Sequence, residues 1–229
     1  MRFSQKLWSV FEEFGPKGIL YLLTRALEGT PFGLYCYHIV AQPVPGGPLL
    51  PAGRGRSIEI RELKPGDPAF AQLPLTADVL ERRFSQNAIC LGAFKNGVAI
   101  GCLWLCIGPY DEDEVRCRFI PQPAGRAAWD FDVYLHPEHR LGLGFARLWD
   151  EANRRLRESG VAWSMSRIST LNLKSLAAHR RLGIRQLGTA TFVRFGRAQL
   201  MMTSLPPYVH LSAGPGSIPA LRLQAPPGD

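Results

Sequence analysis

The chain has no uninterrupted apolar run near the ~20 residues that a membrane-spanning helix requires. Its N-terminal stretch lacks the apolar core of a signal peptide, because Glu12 and Glu13 interrupt it. Cysteine is scarce: Cys36, Cys90, Cys102, Cys106 and Cys117, an odd count with no C-x-x-C pair. That spacing excludes a zinc-ribbon or dithiol redox motif, and no metal is expected. Thiols in apolar segments read as reduced, buried small hydrophobes, which favours a reducing compartment and a cytoplasmic location. No block of five or six like charges occurs, although the net charge is +8. The charge is spread along the chain, and no aromatic platform is interleaved with arginines, so nucleic acid is not an expected partner. The basic excess favours phosphate-bearing ligands only in general terms. There is no internal repeat, collagen period or heptad pattern. What remains is a chain of 229 residues, 46% hydrophobic and 20% charged, enough for one large domain or two small ones.

Three zones follow from periodicity and punctuation. Residues 1–50 read as a helical and strand extension. Phe3, Leu7, Val10, Phe11 and Phe14 recur at helical spacing, Gly15-Pro16 breaks that helix, and Ile19, Leu20, Leu23, Ala26 and Leu27 give a second apolar face ending at Gly29. Phe32–Val40 is aromatic and β-branched, a strand, and Pro43–Gly55 reads as a linker. Residues 3–27 could contact a membrane surface or pack on the rest of the chain, and packing is the preferred alternative because Glu12, Glu13 and Glu28 dilute the positive face. Residues 51–204 alternate strands and helices: strand Ser57–Glu62, a helix capped by Thr76, a hairpin turning at Asn96-Gly97, strand Ala128–Leu135, helix Leu143–Arg157, strand Val161–Ile168, helix Leu173–Leu182 and a last hairpin Gly188–Thr203. The order argues for an α/β layered domain with at least one parallel strand pair. Residues 205–229, rich in Pro and Gly and without periodicity, read as a disordered tail.

The stretch that carries chemistry is Val133-Tyr134-Leu135-His136-Pro137-Glu138-His139-Arg140-Leu141-Gly142-Leu143-Gly144. A strand stops at a proline, a basic glycine-containing turn follows, and a helix begins at once. The first N–H groups of that helix lack intrahelical partners and the helix dipole adds positive charge, so a pyrophosphate can bind there. No Gly-Lys-Ser/Thr follows, so it is not a P-loop; a third glycine is missing, so it is not a dinucleotide fingerprint. Downstream, Asn172, Ser175 and His179 stand at i, i+3 and i+7 ahead of Leu182-Gly183-Ile184, with Asn172 placed to cap a helix and Gly183 to end it.

With these two segments the sequence resembles the GNAT superfamily of acyl-CoA-dependent N-acyltransferases over about residues 57–204. That family has a Gln/Arg-x-x-Gly-x-Gly/Ala turn after its fourth strand and, further on, an Asn, a small residue three later and usually a Tyr seven later. Here His139 occupies the Gln/Arg position and Arg140 follows one residue late; either His139 replaces the basic residue or the loop is one residue short. The resemblance implies a mixed, largely antiparallel central sheet with helices on both faces and a splayed parallel strand pair that binds the coenzyme. It implies acetyl-CoA as co-substrate, held by Val133, Tyr134, Leu135, His139, Arg140, Leu141, Gly142, Leu143, Gly144, Asn172 and Ser175. It places His179 where the usual Tyr protonates the leaving thiolate.

A base must deprotonate an ammonium before it can attack a thioester. Asp130 and Asp132 lie on the strand that leads into the turn, where two-residue spacing puts both on one face. Buried carboxylates on an apolar strand are costly without purpose. Asp132 is the preferred base because it is nearer the turn; pairing of both with Arg126 or Arg167, and transfer through water, are the alternatives. The acidic run Asp111–Glu114 reads as a solvated turn. The expected activity is acetyl transfer to a primary amine of a small molecule, amino sugar or peptide, by a monomer or homodimer. The alternatives are a CoA-binding module without turnover, or an acyltransferase with a longer acyl or an aminoacyl donor.

Overall fold

The computed structural model describes residues 18–27 and 30–227. The expected helix over Phe3–Phe14 and the stop at Gly29 lie outside the described residues, as does most of the segment weighed for membrane contact. In chain order the elements are α1 (Gly18–Leu27), β1 (Phe32–Pro43), β2 (Ile58–Leu63), α2 (Ala77–Ser85), β3 (Ile89–Lys95), β4 (Val98–Cys106), β5 (Tyr110–Asp111), β6 (Arg118–Gln122), β7 (Ala127–Leu135), α3 (Gly144–Glu158), β8 (Trp163–Ser169), α4 (Leu173–Arg180), β9 (Arg185–Phe195), β10 (Ala198–Thr203), β11 (Val209–Ser212) and β12 (Ala220–Gln224). Parallel and antiparallel strands combine with helices in a mixed α/β fold. Among the described residues no helix is long and apolar enough to cross a membrane.

The chain forms two compact units whose segments alternate along the sequence. Unit I holds Ala41–Asp113, Phe119–Ser166 and the residues from Arg222 on; unit II holds the residues up to Val40, Glu114–Arg118 and Arg167–Leu221. These segments differ from the three compositional zones, because Pro- and Gly-rich stretches mark loops and not unit edges. The segment read as a linker after Pro43 is bound within unit I: Val44 N–H donates to Ala162 O, Leu49 N–H to Asp150 Oδ1, and Arg157 Nη1 to Pro45 O.

In unit I the strand order is β2-β3-β4-β7, with antiparallel neighbours throughout. The β3–β4 hairpin turns at Asn96 (φ 52°) and Gly97 (φ 79°), the two positive values that the Asn-Gly pair tolerates. β7 also pairs in parallel with the start of β8, Ala127 opposite Trp163 and Trp129 opposite Met165. Helix α3 packs over β2, β3 and β4 through Leu148, Trp149, Ala152 and Leu156, which are all buried. Helix α2 starts at Thr76, whose side chain makes no capping bond, contrary to the expected role. It stops at Asn87 (φ 58°), the left-handed residue after its last turn. Phe84 of α2, Phe70, Trp104, Phe131 and Tyr110 form one aromatic cluster with centroid spacings of 4.2–6.1 Å. Such pairs add roughly 0.5–1.5 kcal/mol each beyond their burial.

In unit II β9 and β10 form the second antiparallel hairpin, and β11 adds to β10 with Leu200 opposite Leu211. Helix α4 sets Leu176 against Val40, Ile168 and Ile184. The segment after Leu205 is therefore not the disordered tail that its Pro and Gly content suggested: it contains β11 and β12. In Ala220–Gln224 burial alternates strictly, with Leu221 and Leu223 inside. The alternation is five residues long and bounded by prolines, too short to stand out against its composition.

Candidate active site

The site is assembled in unit I where β7 runs on beyond its ladder with β8 while staying paired to β4. Between β4 and β7 the register slips: Trp104 faces Phe131 but Cys102 faces Tyr134, so β7 carries one extra residue. Asp132 takes up the slack at φ +50°, a conformation that Asp tolerates better than most residues. The parallel ladder with β8 ends at Trp129–Met165, and β7 runs on past it to Leu135. After the bulge Val133-Tyr134 is extended and half-buried.

The bulge corrects the expectation for the two aspartates. They do not share a face, because Asp132 is itself the left-handed residue that resets the alternation. Asp130 is 2% exposed and its Oδ2 accepts from Ser164 Oγ at 2.7 Å. Burial pushes its carboxyl up to about 7, against the smaller opposing effect of the Ser164 and Ser166 hydroxyls. Asp132, whose side chain is 39% exposed, turns to the guanidinium of Arg83, with Nη1–Oδ2 at 2.6 Å. Neither is paired with Arg126 or Arg167 in the way weighed from sequence. Arg83, on α2, was not singled out: nothing in one arginine of a helix marks it as buried. It is 7% exposed at the side chain, and its Nε donates to Asp113 Oδ2 at 2.7 Å. It lies over the rings of Trp104 and Phe131 at 4.9 and 5.2 Å. Thus the acidic run Asp111–Glu114 is not a solvated turn. In unit I Asp113 binds Arg83; in unit II Glu114 binds Arg167 at 2.9 Å and accepts from Tyr37 at 2.6 Å.

After β7 the chain passes through a short 3₁₀ turn, Pro137–His139, into α3. The residue ahead of α3 is Leu143, which brings no oxygen to cap the first N–H groups. Leu141 and Gly142 are exposed. A Cβ on Gly142 would meet only His139 O at 3.5 Å, an ordinary contact. The turn therefore presents open backbone with a helix N-terminus behind it, which fits a pyrophosphate. Arg140 is tied back, its Nε donating to Leu135 O at 3.0 Å, and His139 is half-buried. Gly144 differs from expectation: it is buried, and a Cβ there would meet Leu135 Cδ2 at 2.9 Å. Its lack of a side chain suits the packing of α3 on β7. Tyr134 sends its hydroxyl to His136 Nδ1 at 3.2 Å, and His136 Nε2 meets Gln72 O at 3.0 Å.

The other expected residues belong to unit II. Asn172 caps α4, its Oδ1 accepting from Ser175 N–H at 3.0 Å. Gly183 ends that helix region at φ 78°. His179 is 4% exposed, and burial depresses its imidazole to about 4. At pH 7 only on the order of 10⁻³ of it is protonated. The unfolded chain takes up a proton near pH 6.5 that the folded chain refuses until about 4. Stability is thus lost as pH falls through that window. His179→Phe is expected to remove about 2–3 kcal/mol of the acid destabilisation between pH 6.5 and 4.5, read from melting curves against wild type. An unchanged pH dependence would show that His179 titrates normally.

No family model matches the chain, and no curated protein matches it. Among solved structures, a conserved protein of unknown function from Staphylococcus epidermidis is similar with a TM-score of 0.50 and 10% identity, over 76% of this chain and 66% of that one. That likeness concerns the mixed α/β fold. A GCN5-related glucosamine N-acetyltransferase region of a fungal multi-domain protein scores 0.49 at 16% identity, covering 78% of this chain and 23% of that one. A tandem GNAT protein of the clavulanic acid biosynthesis pathway scores 0.45 at 19% identity, over 67% of this chain. This chain spans 50% of that tandem protein's length. Likeness at such identities concerns the fold alone. Among the described residues no group of three His, Cys, Asp or Glu is placed to hold a metal ion.

Proposed function

We propose that the chain is an acetyl-CoA-dependent N-acetyltransferase acting on a primary amine of a small molecule, amino sugar or peptide. The observation that carries this is the bulge at Asp132: it shifts the register of the end of β7 directly before a glycine turn and an uncapped helix N-terminus. The pyrophosphate would lie on the backbone of Leu141–Leu143, and the pantetheine along Val133–Leu135. Backbone N–H groups there would polarise the thioester carbonyl. The amine nitrogen attacks the carbonyl carbon, the C–S bond breaks, and the sulfur leaves as thiolate. Catalysis is mainly positioning plus one proton transfer.

Asp132 is the more accessible of the two aspartates to an incoming amine. Solvent reaches its carboxylate, whereas Asp130 is sealed and hydrogen-bonded to serine. His179 was expected to protonate the thiolate. As a neutral buried imidazole it is a poor acid, and a thiolate with a parent pKa near ~8.5 leaves without much help. His179→Phe should hold kcat within about twofold of wild type across pH 6–9; a loss of 10²-fold would restore the acid role.

Calorimetry with CoA and a thiol-release assay over an amine panel with acetyl-CoA test the function. Gly142→Asp adds a negative charge at the turn with room for its Cβ. It should fold normally and weaken CoA binding at least about tenfold by repelling the phosphates. Unchanged affinity would move the coenzyme elsewhere.

A further inference from the structure

Asp132 stands in a conformation that costs most residues free energy, so something must hold it there. The residue that holds it is Arg83. Its Nη1 grips Asp132 Oδ2 at 2.6 Å, and its Nε is anchored at 2.7 Å on Asp113. The guanidinium plane is packed over Trp104 and Phe131. Trp104 and Phe131 are the cross-strand pair immediately before the slip. One buried cation therefore touches the residue that makes the bulge, the strand pair that precedes it and an independent anchor in the loop after β5. Buried at 7% and held by two carboxylates, it has little freedom to move.

We propose that Arg83 is a positioning residue for the coenzyme site: by clamping Asp132 it fixes the β7 bulge and so presents the backbone of Val133–Leu135 to the ligand. This rests on the acetyl-CoA reading above. Arginine is required because its fork addresses two carboxylates at fixed geometry, whereas an ammonium is a point charge that engages them less specifically. The proximity of Asp113 adds that the loop after β5 sets the site through Arg83, without touching the ligand.

The test uses Arg83→Lys, which keeps the charge, and the pair Arg83→Lys with Asp132→Gly, because glycine takes φ +50° without a clamp. CoA affinity is measured by calorimetry, and amide exchange is followed at Val133–Leu135. Arg83→Lys should bind CoA about tenfold more weakly and exchange these amides faster, since the left-handed residue loses its restraint. The double variant should regain affinity to within about threefold of wild type, with slow exchange. A purely structural arginine would show no such rescue. If Arg83→Lys does not fold, Asp113→Asn removes the anchor alone and should weaken CoA binding about threefold. Folded variants with wild-type affinity, or a double variant no better than the single one, overturn the proposal. If wild type does not bind CoA, the functional reading fails; unchanged exchange in Arg83→Lys would then refute the clamp by itself.

Discussion

Gly101→Val is expected to lower the melting temperature by about 8–16 °C and to abolish measurable CoA binding. A Cβ at position 101 would stand 2.3 Å from the carbonyl oxygen of Tyr134 and 2.6 Å from Leu135 Cδ2. The first obstacle is backbone, so no rotamer change relieves it. Gly101 pairs with Ala93 on one side and with Leu135 on the other. Relief requires β7 to move off β4 at the residues proposed to hold the pantetheine. Overpacking of a core commonly costs up to about 3 kcal/mol, and a clash with backbone on an inner strand should reach about 4 kcal/mol. Thermal melting and CoA calorimetry on the same preparation check this. A variant that melts within a few degrees of wild type would mean that β7 yields freely where it pairs with β4.

Asp130→Asn should produce the largest change in how stability depends on pH. In the folded chain the Asp130 carboxyl is held up at about 7 by burial, against an ordinary value of 3.8. Between those values the folded chain keeps a proton that the unfolded chain has released. Wild-type stability from this group is therefore complete below about pH 4 and is lost as pH rises to about 7. A shift of this size corresponds to about 4 kcal/mol in that window. Asparagine is close in shape and cannot ionise. Relative to wild type, Asp130→Asn should thus gain stability steadily from pH 4 to pH 7 and stay level above. The difference between the two proteins isolates Asp130 from carboxylates such as Asp67 and Glu151, which arginine partners hold below their ordinary values and which act in the opposite direction. Parallel curves for the two proteins would show that Asp130 ionises as if in water. The same variant bears on chemistry. With Asp132 as proton acceptor, Asp130→Asn retains turnover, and Asp132→Asn does not.

Much of this molecule is local and was legible as such. Asn96-Gly97 needs positive φ at two successive residues, and few other pairs supply it, so the β3–β4 hairpin is written in two letters. Asn172 caps α4 and Gly183 ends it by the same short-range logic. The strand, the proline, the turn and the helix from Ala127 to Glu158 follow from period and punctuation, as does the open backbone at Leu141 and Gly142.

What escaped the sequence is what depends on partners distant along the chain. Asp130 and Asp132 look equivalent at a spacing of two. They part company because a bulge, visible only when β4 is laid beside β7, turns one toward Arg83 and seals the other against Ser164. Gly144 reads as a phosphate-loop glycine, but its neighbour is Leu135. His179 keeps a motif position, yet its proton affinity is set by burial that no single-sequence pattern encodes. Composition, motif spacing and helix caps, which act over a few residues, were determined by the sequence alone. The ionisation of buried groups, the place of Arg83 and the two-unit division were decided by the tertiary structure, because desolvation and ion pairing depend on which distant segments exclude water from one another.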